Sequence, residues 1–408
     1  MAVISAPVRE RDAGIVPLPR ERLRQLLWPD SGALSPLPAL DGLRALAVLL
    51  VLLFHAWLHV PGYLSPGEVE RDHPIAYGST GVHLFFVLSG FLLFLPYARW
   101  LFGLQGRPST LLFYKRRILR VCPAYWVSIV LLSLPLPLTP AVVADALVHA
   151  VFLSNLTPDT VYTINSVFWT MAIEVQFYAL LPWIGLALWW LARRFGLPAA
   201  VALGLVALAA SSGLNVLLDG RPGLEALPFS TALVSQVSVG RWLGVFAGGI
   251  FSSFCYVYVL QVAPAHLRDS LYLRPTATLL PAAGVALALG IAFLPALRAM
   301  PLKPLFFGAA YTLLLLGVLF GTPSLRRPFE GRVTRFIGLI SYSFYIWHWV
   351  LMEALIPKEL PPLGIELVVA LRFLIGLGLA ALVAYISYQL CERPFLRARR
   401  RAREAPAA

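Results

Sequence analysis

Apolar positions along this chain come in runs longer than a globular core needs. Ten segments of spanning length recur, near 40–60, 80–103, 121–138, 166–192, 198–218, 240–261, 275–297, 303–321, 336–356 and 363–390. About 20 apolar residues rising 1.5 Å each cross a hydrocarbon core of about 30 Å, so each run predicts a membrane-spanning helix. Two weaker stretches, 141–155 and 226–239, read as re-entrant or interfacial helices. The expected fold class is all-α: a polytopic integral membrane protein of about ten transmembrane helices around a polar cavity.

The polar positions between the runs alternate in sign. Arg99, Arg107, Lys115, Arg116, Arg117 and Arg120 follow the second run, and Arg193 and Arg194 the fourth. His266, Arg268 and Arg274 follow the sixth, Arg326, Arg327, Arg332 and Arg335 the eighth, and Arg397 opens a basic tail after the tenth. The loop at 61–79 instead holds Glu68, Glu70 and Asp72 beside a single arginine, Arg71, and no Lys or Arg occurs between Val121 and Ala192. By the positive-inside rule the even-numbered runs end in the cytoplasm and both termini are cytoplasmic. Arg221, Arg298, Lys303 and Lys358 fall on the outer side as exceptions.

The expected organisation is a cytoplasmic tail over 1–38, a membrane domain over 39–396 and a basic tail over 397–408. Within the first, RERLRQLLW (20–28) is amphipathic and suited to anionic lipid. No short apolar region with a small-residue cleavage site precedes the first run, so no removable signal peptide is expected.

Composition narrows the class. With 59% hydrophobic and 13% charged residues and a mean hydropathy of +0.76, a soluble domain, at about 25% charged, is excluded. The net charge of +13 sits in short loops and is no nucleic-acid footprint. Cys122, Cys255 and Cys391 lie far apart and offer neither a disulfide framework nor metal-ligand spacing, so no metal is expected. Of 33 basic residues only Lys115, Lys303 and Lys358 are lysine, a usage associated with GC-rich bacterial genomes.

Candidate chemistry lies in the charges that lipid should reject. Arg44 and His55 sit eleven steps apart in one run. That is three helical turns plus roughly 20° and a rise of roughly 16 Å, so both project from one stripe. Each costs on the order of 2.5–3.5 kcal/mol at depth. Snorkelling of Arg44 and helix packing by His55 are the structural alternatives. The assigned orientation puts Arg44 near the cytoplasmic side. It puts Ser89 and Glu174 near mid-bilayer, and His55, His83, Arg241 and His348 further out. Polar groups on five separate helices predict a shared polar cavity.

Read in order, DGLRALAVLLVLLFH (41–55), GVHLFFVLSGFLL (81–93), FYKRRILRVCPAYW (113–126), SVFWTMAIEVQFYALLP (166–182), ISYSFYIWHW (340–349) and CERPF (391–395) resemble the membrane acyltransferase-3 family. The resemblance covers roughly residues 38 to 396. It implies an integral-membrane, acyl-CoA-dependent O-acyltransferase of the bacterial cytoplasmic membrane. Such enzymes move acyl groups, often acetyl, from acyl-CoA to sugars, peptidoglycan, surface polysaccharides or macrolide antibiotics. The standalone form, without an extracytoplasmic hydrolase-like domain, is expected. Acyl-CoA, with acetyl-CoA foremost, is then a co-substrate rather than a bound cofactor. The partners are a hydroxylated acceptor and the bilayer.

Arg44 and His55 match the family's arginine–ten residues–histidine motif, whose histidine is taken as catalytic. Imidazole suits removal of a hydroxyl proton because its unperturbed pKa, about 6.5, lies near working pH. Glu174 is the best-placed acid by depth to orient it, or else a structural hydrogen-bonder. Arg116, Arg117 and Arg120 stand at the cytoplasmic mouth before the third run. Guanidinium forks there suit CoA phosphates, although orientation alone also calls for basic residues. The family's Arg–two residues–Arg motif, matched by Arg117 and Arg120, favours CoA. Arg44 is expected to guide the thioester toward His55.

His83, where relatives usually carry an acidic or polar group, either bonds substrate or faces headgroups. Ser89-Gly90 reads first as close packing between helices, with Ser89 as the alternative nucleophile or substrate ligand. Tyr342, Tyr345 and His348 are candidate acceptor ligands beside an aromatic belt, and Arg241 a candidate anion anchor. A secondary transporter or flippase of envelope precursors is the rival reading, since it too uses intramembrane Arg, His and Glu. The absence of repeated halves weighs against it. A non-catalytic partner in envelope polymer assembly is the third.

Overall fold

In a bilayer every backbone N–H and C=O must be paired within the protein, and the apolar runs satisfy this by coiling. The computed structural model describes residues 37–58, 74–219, 234–266, 275–294, 302–356 and 364–397, and among them no strand occurs. The amphipathic stretch at 20–28, the acidic loop residues 68–72, most of the 226–239 stretch and the tail beyond 397 lie outside the described residues.

Ten long helices coincide with the ten apolar runs. They are α1 (Pro38–Leu58), α2 (Gly81–Leu101), α3 (Thr110–Ser133), α5 (Phe168–Phe195), α6 (Leu197–Asp219), α7 (Val239–Val257), α8 (Pro275–Phe293), α9 (Lys303–Phe320), α11 (Arg332–Leu355) and α12 (Ile365–Ser387). The weaker stretch near 141–155 forms an eleven-residue helix, α4 (Pro140–Ala150). A short basic helix, α10 (Pro323–Glu330), precedes α11. Among the described residues, seven helices, α1, α2, α5, α6, α7, α9 and α12, are long and apolar enough to cross a membrane. The protein is thus a multi-pass membrane protein. Helix α3 is diluted by its basic residues and α11 by the polar-aromatic string SYSFYIWHW.

One boundary differs from the sequence reading in a way that matters. The third helix begins at Thr110, where the Ser109 hydroxyl caps the Leu112 N–H at 3.3 Å, and not near residue 121. Arg116, Arg117 and Arg120 therefore belong to the helix rather than to a loop before it. Their polarity reads as loop, but one face of α3 is turned to a polar cavity where such residues are tolerated.

The interior is assembled around α1, α2, α7 and α11. Helix α2 packs along α7, α1 along α11, and α11 along α12. Gly90 on α2 and Gly249 on α7 make the first crossing: a Cβ on Gly90 would collide with the Phe246 carbonyl, and one on Gly249 with the Val87 carbonyl. Gly338 of α11 similarly rests on the Asp41 backbone of α1. Such close approach is how helices gain contact in lipid, where burial of apolar surface gives no advantage. Exposed leucines and valines on α6 and α12, such as Leu203, Val206, Leu374 and Leu382, face outward.

Candidate active site

Two cavities lie end to end inside the bundle. The outer one, about 650 Å³, is lined by His55 at the end of α1 and by the starts of α2, α5, α7 and α9. These are the helix ends that the alternation of basic loops assigns to one side. The inner one, about 110 Å³, lies deeper along the same helices and is lined by Arg44, Ser89, Arg117, Arg120, Glu174 and Tyr342 among others. Val82 and Tyr345 line both cavities and so form the wall between them. Arg44 and His55, on one stripe of α1, thus open into different chambers.

His55 Nδ1 lies 2.9 Å from Nε2 of His348 on α11. His348 is fully buried, and its Nδ1 lies 2.8 Å from the Tyr345 carbonyl. A carbonyl only accepts, so His348 Nδ1 carries the proton and its Nε2 the lone pair. His55 must then donate from Nδ1, which leaves the lone pair of neutral His55 on Nε2. Trp349 packs edge-on to the His55 ring at 4.8 Å, and the fully buried Arg372 of α12 donates to the carbonyl of Ala56, the next residue, at 3.2 Å. The ring is held on several sides.

The inner cavity carries the charge. Ser89 Oγ donates to Glu174 Oε1 at 2.7 Å, and Tyr178 lines the same cavity. Arg117 lies over the Tyr178 ring at 5.9 Å, and its buried Nε has no hydrogen-bond partner among the described residues. Arg44 stands 3.5 Å from Asp41. Arg120 forms an ion pair with Glu392, which is 1% exposed and also accepts from Ser343 at 2.6 Å.

The expected residues divide accordingly. Arg44, Ser89, Arg117, Arg120, Glu174 and Tyr342 line the inner cavity, and His55, His83 and Arg241 the outer. Glu174 and His55 line different cavities, so the acid bonds Ser89 and the described partner of His55 is His348. Of the Ser89-Gly90 pair, Gly90 does the packing and Ser89 faces the cavity. Tyr342 is also placed differently from its expected role: its hydroxyl donates to the Val121 carbonyl at 2.6 Å in the inner chamber. Tyr345 is within 2.9 Å of the Thr170 hydroxyl in the dividing wall, and Arg116 lines neither cavity.

Sequence reasoning missed Lys303, Arg372 and Glu392. All three carry the signal that flagged Arg44, a charge in or beside an apolar run, but without a neighbouring histidine they stood out less.

A family model described as an acyltransferase domain matches residues 37–389. Nodulation protein 10 of Rhizobium leguminosarum bv. viciae is 25% identical over 345 residues, covering 78% of this chain and 83% of its own. The peptidoglycan O-acetyltransferase OatA of Listeria monocytogenes is 25% identical, covering 88% of this chain and 55% of its own. The O-acetyltransferase OatA of Staphylococcus aureus is 26% identical over 88% of this chain and 57% of its own. The chain thus spans little more than half the length of those two O-acetyltransferases. No solved structure matches.

Proposed function

We propose that this chain, which belongs to the acyltransferase-domain family, is a bacterial membrane O-acyltransferase that carries an acyl group from acyl-CoA on the Arg44 side to an acceptor hydroxyl on the His55 side. The observation that carries the reading is the His55–His348–Tyr345 chain, which leaves a basic nitrogen on a residue lining a roomy cavity. The O-acetyltransferase relatives support acyl transfer to oxygen, and the peptidoglycan enzyme among them supports a carbohydrate acceptor.

In this mechanism His55 Nε2 takes the acceptor hydroxyl proton as its oxygen attacks the thioester carbonyl. The tetrahedral intermediate collapses with cleavage of the C–S bond, and the imidazolium returns its proton to the leaving thiolate, giving the ester and CoA-SH. Arg117 and Arg44 supply positive charge for the donor's phosphates and arm. The pantetheine arm then brings the thioester past Val82 and Tyr345. Cavities that share Val82 and Tyr345 as their common wall support direct transfer within one protein.

Purified protein in nanodiscs, given acetyl-CoA and acceptor extracts, should release CoA-SH stoichiometrically with acylated product. His55→Ala should lower kcat by about 10²–10⁴ while donor binding survives. A folded His55→Ala protein with near-normal turnover would end the assignment. Acceptor flux without thiol release would point to a transporter.

A further inference from the structure

We infer that Tyr345 and Thr170 decide whether water or the acceptor hydroxyl receives the acyl group: their hydrogen bond holds shut the wall between the two cavities, and the thioester crosses only by displacing the Tyr345 ring. The inference rests on the acyl-transfer reading above and adds specificity-determining residues to it. The need for them follows from the base. An imidazole that takes a proton from an acceptor hydroxyl takes one from water as well, and the thioester is then cleaved to acid and CoA-SH instead of forming an ester. The cavity that His55 lines, about 650 Å³ against about 30 Å³ for one water in the liquid, has room for many. Selection against water therefore depends on how often the thioester enters that chamber with no acceptor in it.

The wall has a latch. Val82 and Tyr345 line both cavities, Thr170 lines the inner one, and Val167, three residues earlier, lines the outer. The Thr170 hydroxyl lies 2.9 Å from the Tyr345 hydroxyl and 2.9 Å from the Val167 carbonyl. It has one proton and the carbonyl only accepts, so Thr170 donates to Val167 and Tyr345 donates to Thr170. This line of bonds runs through the wall from the lining of one chamber to that of the other, and it ties α11 to the start of α5. Phe85 of α2 packs edge-on to the Tyr345 ring at 5.9 Å, and Tyr345 is buried.

The frame around the latch is fixed while the ring is held lightly. The Tyr345 carbonyl accepts from His348 Nδ1 at 2.8 Å. Buried Asn165, just before α5, donates to the next carbonyl of α11, that of Ile346, at 2.9 Å. The backbone at 345–346 is thus pinned by two side chains, whereas a single hydroxyl–hydroxyl bond holds the phenol. Turning the phenol about its own torsions breaks that bond and leaves in place the carbonyl that sets the His348 tautomer. Tyr345 can therefore open the wall with its side chain and keep the base ready with its backbone. Without acceptor, hydrolysis is limited to the fraction of time that the latch is broken.

The test needs no knowledge of the acceptor. Wild-type protein and variants in nanodiscs receive acetyl-CoA alone, and free acetate and CoA-SH are measured. Tyr345→Phe leaves Thr170 bonded to Val167, and Thr170→Val keeps the side-chain shape, so both should elute as wild type in size exclusion. Each should raise acceptor-free acetate release by about two- to tenfold, the worth of one hydrogen bond. The double variant should do no more than either single one, because both remove the same bond. Adding His55→Ala to Tyr345→Phe should return acetate release to the wild-type level or below, which places the attacking water in the outer chamber. Unchanged acetate release in both single variants, additive effects in the double variant, or a leak that survives His55→Ala would each overturn the inference. Ester formation with acceptor extracts is followed in the same wild-type samples. Ester formed by the wild type with no added leak in the variants sinks the latch alone, whereas no ester and no thiol release sinks the acyltransferase reading and the latch with it.

Discussion

The Tyr345 carbonyl can only accept a proton, and that constraint passes through His348 to fix which nitrogen of His55 is basic. In the proposed mechanism His348 is a positioning residue, and its effect is separable from acceptor binding. Replacing it by leucine strands the His55 Nδ1–H, at about 1–3 kcal/mol for an unsatisfied buried donor, or roughly 5- to 150-fold in rate. His348→Leu should lower kcat in that range with acceptor KM little changed, and His348→Gln, whose amide oxygen can accept, should recover part of it. A rise in acceptor KM with kcat preserved would instead return His348 to the acceptor-ligand role its sequence position suggests. Arg44 and His55 were legible because an apolar run tolerates few such residues. The His55–His348 bond was not, because it joins positions 293 residues apart and depends on how α1 meets α11.

Helices were legible from run length, and their faces much less so. A run's period says that α3 can be helical, but its basic first half reads as loop until a cavity is found on that side. The closing CERPF string gains a physical role only through packing. The chain after α12 makes a π-helical turn, Tyr388–Glu392, that carries Glu392 to Arg120 on α3. This separates two arginines that looked equivalent. Arg117→Ala should fold and raise the donor KM, because a lost charged hydrogen bond is worth about 1.5–3 kcal/mol. Arg120→Ala should instead lose folded protein, since an orphaned buried carboxylate costs about 3–5 kcal/mol. Arg120→Ala combined with Glu392→Gln should restore part of the yield. Size-exclusion profiles in detergent and donor titrations read the two effects. Equal donor-KM increases in two well-folded single variants would refute the division.

At the level of the assembled bundle, the proposed mechanism orders the two cavities across the membrane. The outer chamber takes the end of α1 and the starts of α2, α5, α7 and α9, while Arg44, near the start of α1, lines the inner with Arg117 and Arg120. The basic loops follow the opposite ends of α2, α5, α7 and α9, so the positive-inside rule predicts that the Arg44 side faces the cytoplasm. CoA is multiply charged and does not cross a bilayer unaided, so the acyl-CoA donor proposed above would arrive from that side. Membrane vesicles of defined sidedness make this decisive. Inverted vesicles, with the cytoplasmic face outward, should consume added acetyl-CoA and release CoA-SH to the medium, while right-side-out vesicles should do neither until permeabilised. Reporter fusions at Glu68 and Arg397 should lie on opposite faces in the same membranes. Donor consumption by sealed right-side-out vesicles, with the fusions confirming their sidedness, would place the thioester on the His55 side and reverse the direction of transfer.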